Sequence, residues 1–189
     1  MKIKWMFLVF LMSSLLMSCQ LGEVKRPVDE ETKYIHQVLG KTSRAIAKRY
    51  NVHCCAFGMA AMNEVEKLML DFTVDRKLSK DEIREMLIGS VHEMVKNVRE
   101  CEGIQPYLLK DGFSEKNVEI IFFLHDGKKT IHTPDIATAA CYRGNIEYNK
   151  RAIGKTIGFI SEETETYQEA IAILKEQGKE EVLHELKTQ

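Results

Sequence analysis

Apolar and polar residues follow one another along this chain with two different periods, and each change of period marks an element. From Asp29 to Tyr50 the residues Ile35, Val38, Leu39, Thr42, Ala45, Ile46 and Tyr50 share one stripe. Glu30, Lys33, Lys41, Lys48 and Arg49 lie mostly off it, so the spacing predicts an amphipathic helix ended by Asn51. Val52 to Met62 is small, apolar and, apart from His53, uncharged, which reads as a buried strand. Leu68, Leu70, Phe72 and Val74 then alternate with Lys67, Asp71 and Thr73, giving a second strand over residues 66–75. Asn63-Glu64 between the two can form a turn, so they are expected to pair as an antiparallel hairpin.

Ser79-Lys80-Asp81-Glu82 is a capping box, in which side chains of the first and fourth residues satisfy each other's exposed amides. Behind it Ile83, Met86, Leu87, Ser90, Val91, Met94, Val95, Val98 and Cys101 recur at helical spacing, with Gly103 past the end. Ile104 to Leu109 forms an apolar-tipped loop and Asp111-Gly112 a second turn. Val118, Ile120, Phe122 and Leu124 alternate with Ile121 and Phe123, and a strand apolar on both faces belongs in the middle of a sheet. Asp126-Gly127 is a two-residue hairpin signal, so residues 128–132 are expected to pair back until Pro134. Residues 136–142 and 146–152 flank Gly144-Asn145 as a further hairpin. Ser161 and Thr166 each offer a cap for a last helix running to about Gln177, with Tyr167, Ala170, Ile171 and Leu174 buried and Gly178 as its stop. Val182, Leu183 and Leu186 suit one more short helix.

The predicted order is α-ββ-α-βββ-α. Segregated hairpins with few crossovers imply an α+β fold, an antiparallel sheet of about five strands packed against about three helices.

The N-terminal pattern is of another kind. Met1-Lys2-Ile3-Lys4 is cationic, and Trp5 to Leu16 is almost unbroken apolar sequence without helical spacing. A membrane-spanning helix needs roughly 20 apolar residues, whereas Gln20, Glu23, Lys25 and Arg26 end this run early. Its length suits the h-region of an export signal. The run closes on Leu16-Met17-Ser18-Cys19, which resembles the lipobox of bacterial lipoprotein precursors. That resemblance implies that Cys19 receives a diacylglyceryl group, that residues 1–18 are removed as a signal peptide, and that the new amino group is acylated, with palmitate as a typical chain. It also implies a lipid-anchored address in the cell envelope, on the cell membrane or outer membrane. Gln20, not an acidic residue, follows the cysteine, which leans toward the outer membrane. Residues 19–31 then read as a lipidated tether, 32–178 as one α+β domain and 179–189 as a C-terminal tail. The cadence of Ser79 to Arg84, Pro106-Tyr107-Leu108, Gly112-Phe113 and Asn117 to Ile120 is similar to lipoproteins of unassigned role from intracellular bacteria, and implies no activity.

Composition adds mainly exclusions. Loss of Lys2 and Lys4 with the signal would take the net charge from −1 to −3, with 25 basic residues facing 28 acidic ones. Both signs are interspersed and no basic patch is evident, so nucleic acid is not expected as a partner. No G-x-S-x-G, H-E-x-x-H, Walker A or G-x-G-x-x-G motif occurs.

The candidate chemistry is sparse. His53, Cys54 and Cys55 are possible metal ligands or nucleophiles, but neighbours on a strand point to opposite faces. Cys54, Cys55, Cys101 and Cys141 are therefore read first as core residues or disulfide partners, with Cys101 to Cys54 or Cys55 the favoured bond in an oxidising compartment. His125, Asp126 and His132 could converge on a metal across their turn. Tyr107, Leu108 and Phe113 stand in a connection between elements; they either cover the edge of the core or form an exposed patch for a partner or membrane. Two functions follow. One is an anchored, non-enzymatic binding or assembly lipoprotein with a protein partner in the envelope and no cofactor. The other is an anchored metal-binding or thiol-dependent enzyme.

Overall fold

The computed structural model describes residues 29–127, 135–151 and 158–179. The elements run α1 (Glu30–Tyr50), β1 (His53–Ala61), β2 (Val65–Val74), α2 (Lys80–Glu100), β3 (Val118–Leu124), β4 (Thr138–Tyr142), β5 (Asn145–Arg151), β6 (Phe159–Thr166) and α3 (Tyr167–Glu176). The fold is α+β, as the pattern predicts, with one strand more than expected. Cys19 with its tether up to residue 28, the 128–132 strand with His132, and the tail from Glu180 with its expected helix lie outside the described residues, while Glu30 and Glu31, expected in the tether, already belong to α1.

The six strands form one sheet in sequence order. Every neighbouring pair is antiparallel except β2 and β3, which run parallel because α2 carries the chain back between them. A parallel neighbour requires such a crossover, whereas an antiparallel one can be joined by a tight turn. Between β4 and β5 that turn has two residues, and both Arg143 (φ 51) and Gly144 (φ 76) are left-handed. Such a turn matches the strands' own twist.

Alternation decides which face is covered. Leu68, Leu70, Phe72 and Val74 of β2, Val118, Ile120, Phe122 and Leu124 of β3, Ala139 and Cys141 of β4, and Ile146 and Tyr148 of β5 are buried in one cluster with the apolar stripes of all three helices. The intervening residues, among them Met69, Asp71, Ile121, Phe123 and Tyr142, are half-buried on the opposite face. Burying this cluster supplies most of the driving force for folding, at about 25 cal/mol per Å² of apolar surface removed from water.

The capping box at Ser79 is formed: Glu82 N–H donates to Ser79 Oγ (3.3 Å), and Ser79 N–H donates to Glu82 Oε2 (2.8 Å). The α2 stripe is buried as predicted, with Cys101 half-buried at its end. The buried arc is wider than the stripe, because Arg84, Ile88, Gly89 and Asn97 are buried as well. Helix α2 has neighbours on both flanks. On one side Asn97 Nδ2 donates to Thr42 of α1 (3.0 Å), and a Cβ added at Gly89 would lie 2.0 Å from the Tyr50 hydroxyl. A side chain at this position would have to displace the Tyr50 ring. On the other side lies α3, started by a second capping box between Thr166 and Glu169.

Three expectations are corrected here. Thr166, and not Ser161, caps the last helix; Ser161 pairs with Asn149 inside β6. That strand, Phe-Ile-Ser-Glu-Glu-Thr-Glu-Thr, is exposed at all but Glu165 and so lacks a buried stripe to announce it. Strand β1 is not buried, because it pairs with β2 alone and every residue in it is exposed or half-buried. An apolar composition reports what a strand could bury, while its place in the sheet decides what it does bury. Finally, Cys54, Cys55, Cys101 and Cys141 are all free thiols. The favoured disulfide fails because Cys101 ends a helix that lies over β3 and β4, whereas Cys54 and Cys55 stand on the outer strand.

Candidate functional site

Strand β1 gathers most of the candidate residues. His53, Cys54 and Cys55 are exposed at its start. The register passes from Cys54 opposite Phe72 to Ala56 opposite Asp71, so Cys55 is the extra residue of a β-bulge. A bulge re-aims side chains and interrupts pairing at a sheet edge. Cys54 Sγ donates to the carbonyl of Ala56 (3.5 Å). Both thiols are pushed up from their ordinary pKa, first by partial burial and then by nearby negative groups, Cys55 for Cys54 and Asp71 for both. The carboxyl of Asp71 is itself raised, by desolvation and by Glu119. The local field therefore disfavours a thiolate, which is the reactive form of cysteine. Cys141 is inert for a stronger form of the same reason: buried in β4, it is pushed up to about 12.

The metal readings find little geometry. Among the described residues no group of three His, Cys, Asp or Glu side chains is placed to hold an ion. His125 is half-buried just beyond β3, where its N–H donates to the Val74 carbonyl (2.8 Å), and Asp126 is exposed in the turn.

The connection after α2 is tied into the core. Residues Glu102–Tyr107 make a 3-10 turn around fully buried Ile104. Gln105 Nε2 donates to the Val98 (2.7 Å) and Cys101 (3.2 Å) carbonyls at the end of α2, beside the backbone N–H each already accepts. Phe113 is buried, correcting its reading as an exposed contact. Tyr107 and Leu108 are half-buried against the same core, and Leu108 bridges to Val65. Of the two readings of this loop, the geometry matches the one that covers the core edge.

What the pattern did not reveal is the apolar surface of β1. Phe57 is 63% exposed and Met59 42% exposed, both on the helix side of the strand, opposite Leu70 and Leu68. The Phe57 ring meets His36 of α1 edge-on at 5.9 Å. Beside it is a cavity of about 100 Å³ lined by His36, Leu39, Gly40, Ser43 and Phe57. A larger hollow of about 240 Å³ lies between the end of α1 and the start of α2, with Arg49, Arg76, Glu82 and Glu85 among its walls. Both fall below the roughly 300 Å³ at which small-molecule sites usually begin.

A second feature also escaped the pattern. Arg84 of α2, 3% exposed, holds Glu165 of β6 in a two-pronged pair, with Nε to Oε1 at 2.8 Å and Nη2 to Oε2 at 3.1 Å. Tyr148 donates its hydroxyl to the same carboxylate, and Asp81 accepts from the other arm of the guanidinium. Burial raises the Tyr148 pKa and the Glu165 carboxylate raises it further, so the phenol stays a donor. Burial opposes the charge on Arg84, yet Glu165, Tyr148 and Asp81 together outweigh it and raise the guanidinium above its ordinary pKa. The cluster is enclosed and internally satisfied, so it acts as a clamp between α2, β5 and β6.

Among the described residues no helix is long and apolar enough to cross a membrane. Comparison with protein-family models, with curated proteins and with solved structures finds no match.

Proposed function

We propose that this chain is a lipoprotein of the bacterial envelope, held on the cell membrane or outer membrane by lipid on Cys19, whose α+β domain works by binding or assembly. The observation that carries the reading is the Leu16-Met17-Ser18-Cys19 box behind a cationic start and a short apolar run. One acyl chain gives only marginal membrane binding, at about 0.8 kcal/mol per buried methylene, while two or more hold a protein stably. The processed cysteine would carry that many without any protein span.

The binding role draws support from the surface of the domain. Its exposed large apolar residues lie on the two outer strands and the turn after β1: Phe57, Met59 and Met62, then Phe159 and Ile160. The raised thiols of Cys54 and Cys55 weigh against a cysteine nucleophile. The partner in this reading is an envelope protein, with the membrane as anchor.

The test is metabolic labelling with radiolabelled palmitate in a bacterial host. Wild-type chain should incorporate label and sediment with membranes, and Cys19→Ser should lose the label and leave a soluble or uncleaved precursor. Equal labelling of the two chains would overturn the anchor.

A further inference from the structure

We infer that strand β1 is a pairing edge for a second copy of this chain, giving a two-fold dimer in which two six-stranded sheets join through antiparallel β1 strands. The inference is independent of the lipid anchor.

Three observations converge on it. First, the edge is open among the described residues: β1 pairs there only with β2, and His53 to Phe57 and Met59 are exposed. An edge strand offers a row of unpaired backbone donors and acceptors, and proteins that must stay monomeric blunt such edges with charge, proline or twist. The nine residues from His53 to Ala61 contain no Lys, Arg, Asp, Glu or Pro. The opposite edge shows the contrast. Strand β6 carries exposed Glu162 and Glu163, ion-paired to Lys150 and Lys80 of the same chain, while Glu165 faces the core. The contrast between the edges is charge, which β6 carries and β1 does not, and the β1 bulge at Cys55 lies outside the stretch that would pair.

Second, the register is self-complementary. Ladder pairing of β1 with β2 is regular from Ala56 opposite Asp71 to Ala60 opposite Lys67, and irregular on both sides of that stretch. Its midpoint is Gly58. A two-fold axis there sets Gly58 against Gly58, Ala56 against Ala60 and Phe57 against Met59. An isologous interface of this type uses the same patch on both copies.

Third, the side chains suit that register. Residues opposite each other across an antiparallel pair share a face, so both Phe57–Met59 contacts fall on the helix side. There they cover the two largest exposed apolar groups of the strand, one against the other, and thioether–aromatic contacts are favourable. The cavity beside Phe57 and His36 is at the same seam. On the other face, Ala and Gly leave the backbones free to approach. Backbone bonds supply affinity and the alternate side chains supply specificity, as in strand addition generally.

The test uses full-length chain purified in detergent and measured by sedimentation equilibrium with the micelle density-matched. Wild type should dimerise. Placing Lys at both Ala56 and Ala60 (A56K/A60K) sets like charges opposite each other twice and should weaken the dimer by roughly tenfold or more. Glu at the same positions (A56E/A60E) should do likewise. An equimolar mixture of the Lys and Glu variants should recover the dimer, an outcome that misfolded variants could not produce. Ser161→Lys on β6 should leave the mass unchanged. A monomeric wild type at about 100 μM, a Lys variant as dimeric as wild type, or a mixture that stays monomeric would each overturn the inference.

Discussion

At the scale of single residues, Glu165 is the position where chemistry and stability meet most closely. Its carboxylate is the only acceptor described for the Tyr148 hydroxyl and takes two of the Arg84 donors. A charge removed from water is tolerable only while its partner stays in place, and breaking a buried pair costs about 3–5 kcal/mol. Glu165→Gln should therefore fall near the lower end of that range, because Asp81 still faces the guanidinium. Tyr148→Phe removes one hydrogen bond to a charged acceptor and should cost about 1.5–3 kcal/mol. Urea denaturation of both variants measures this directly. Equal stability of Glu165→Gln and wild type would mean that the clamp contributes nothing to the fold.

At the scale of elements, helices α2 and α3 begin in the same way. Each has a hydroxyl at the cap and a glutamate three residues on that returns the hydrogen bond. Ser79→Ala and Thr166→Ala should each destabilise by about 0.5–2 kcal/mol. The consequences differ with position. Thr166 stands where β6 turns directly into α3, next to buried Glu165, so its loss should also loosen the β6 edge. Amide hydrogen exchange should then rise along residues 159–166 in Thr166→Ala and stay unchanged there in Ser79→Ala. Faster exchange of that strand in both variants would show that the two caps report on the whole domain instead.

At the scale of the whole molecule, the balance of carboxylates sets the response to acid. Glu82 and Glu169 are held below their ordinary value of 4.5 by the cap amides and hydroxyls of Ser79 and Thr166. Glu100 is lowered by its hydrogen bond to Lys41. A carboxyl whose folded pKa is depressed stabilises the fold above its unfolded pKa, and that contribution disappears as pH falls through the folded value. Asp71 has the opposite sign, since its raised carboxyl favours the fold only when protonated. With Asp81, lowered by its hydrogen bonds to Gln177 and Arg84, four depressed groups stand against one raised group and predict a melting temperature that is flat near neutrality and declines as pH drops below about 4.5. Melting curves from pH 7 to pH 3 check this, and a melting temperature that rises on acidification would mean that Asp71 and its neighbours dominate.

Much of the architecture is written in short-range features. The α2 stripe, its Ser79 cap, the alternation of β2 and β3, and the stop at Gly178 depend on residues a few positions apart, and each stands in the structure where the pattern placed it. The α+β class followed from their order. Features that depend on distant neighbours were not legible in the same way. Strand β1 and a central strand have similar compositions, and only the sheet order makes one of them an edge. Strand β6 has no apolar stripe, and every residue in it but Glu165 is exposed. Arg84 lies off the apolar stripe of α2, and its partner Glu165 is 81 positions later in the chain. Phe113 sits between elements in the chain but under the core edge in space. The amino-acid sequence by itself determined the helices and the inner strands and which way each one faces, because periodicity and capping are local. Tertiary structure alone decided which surfaces stay open, because burial is a property of neighbours that the chain meets only after it folds.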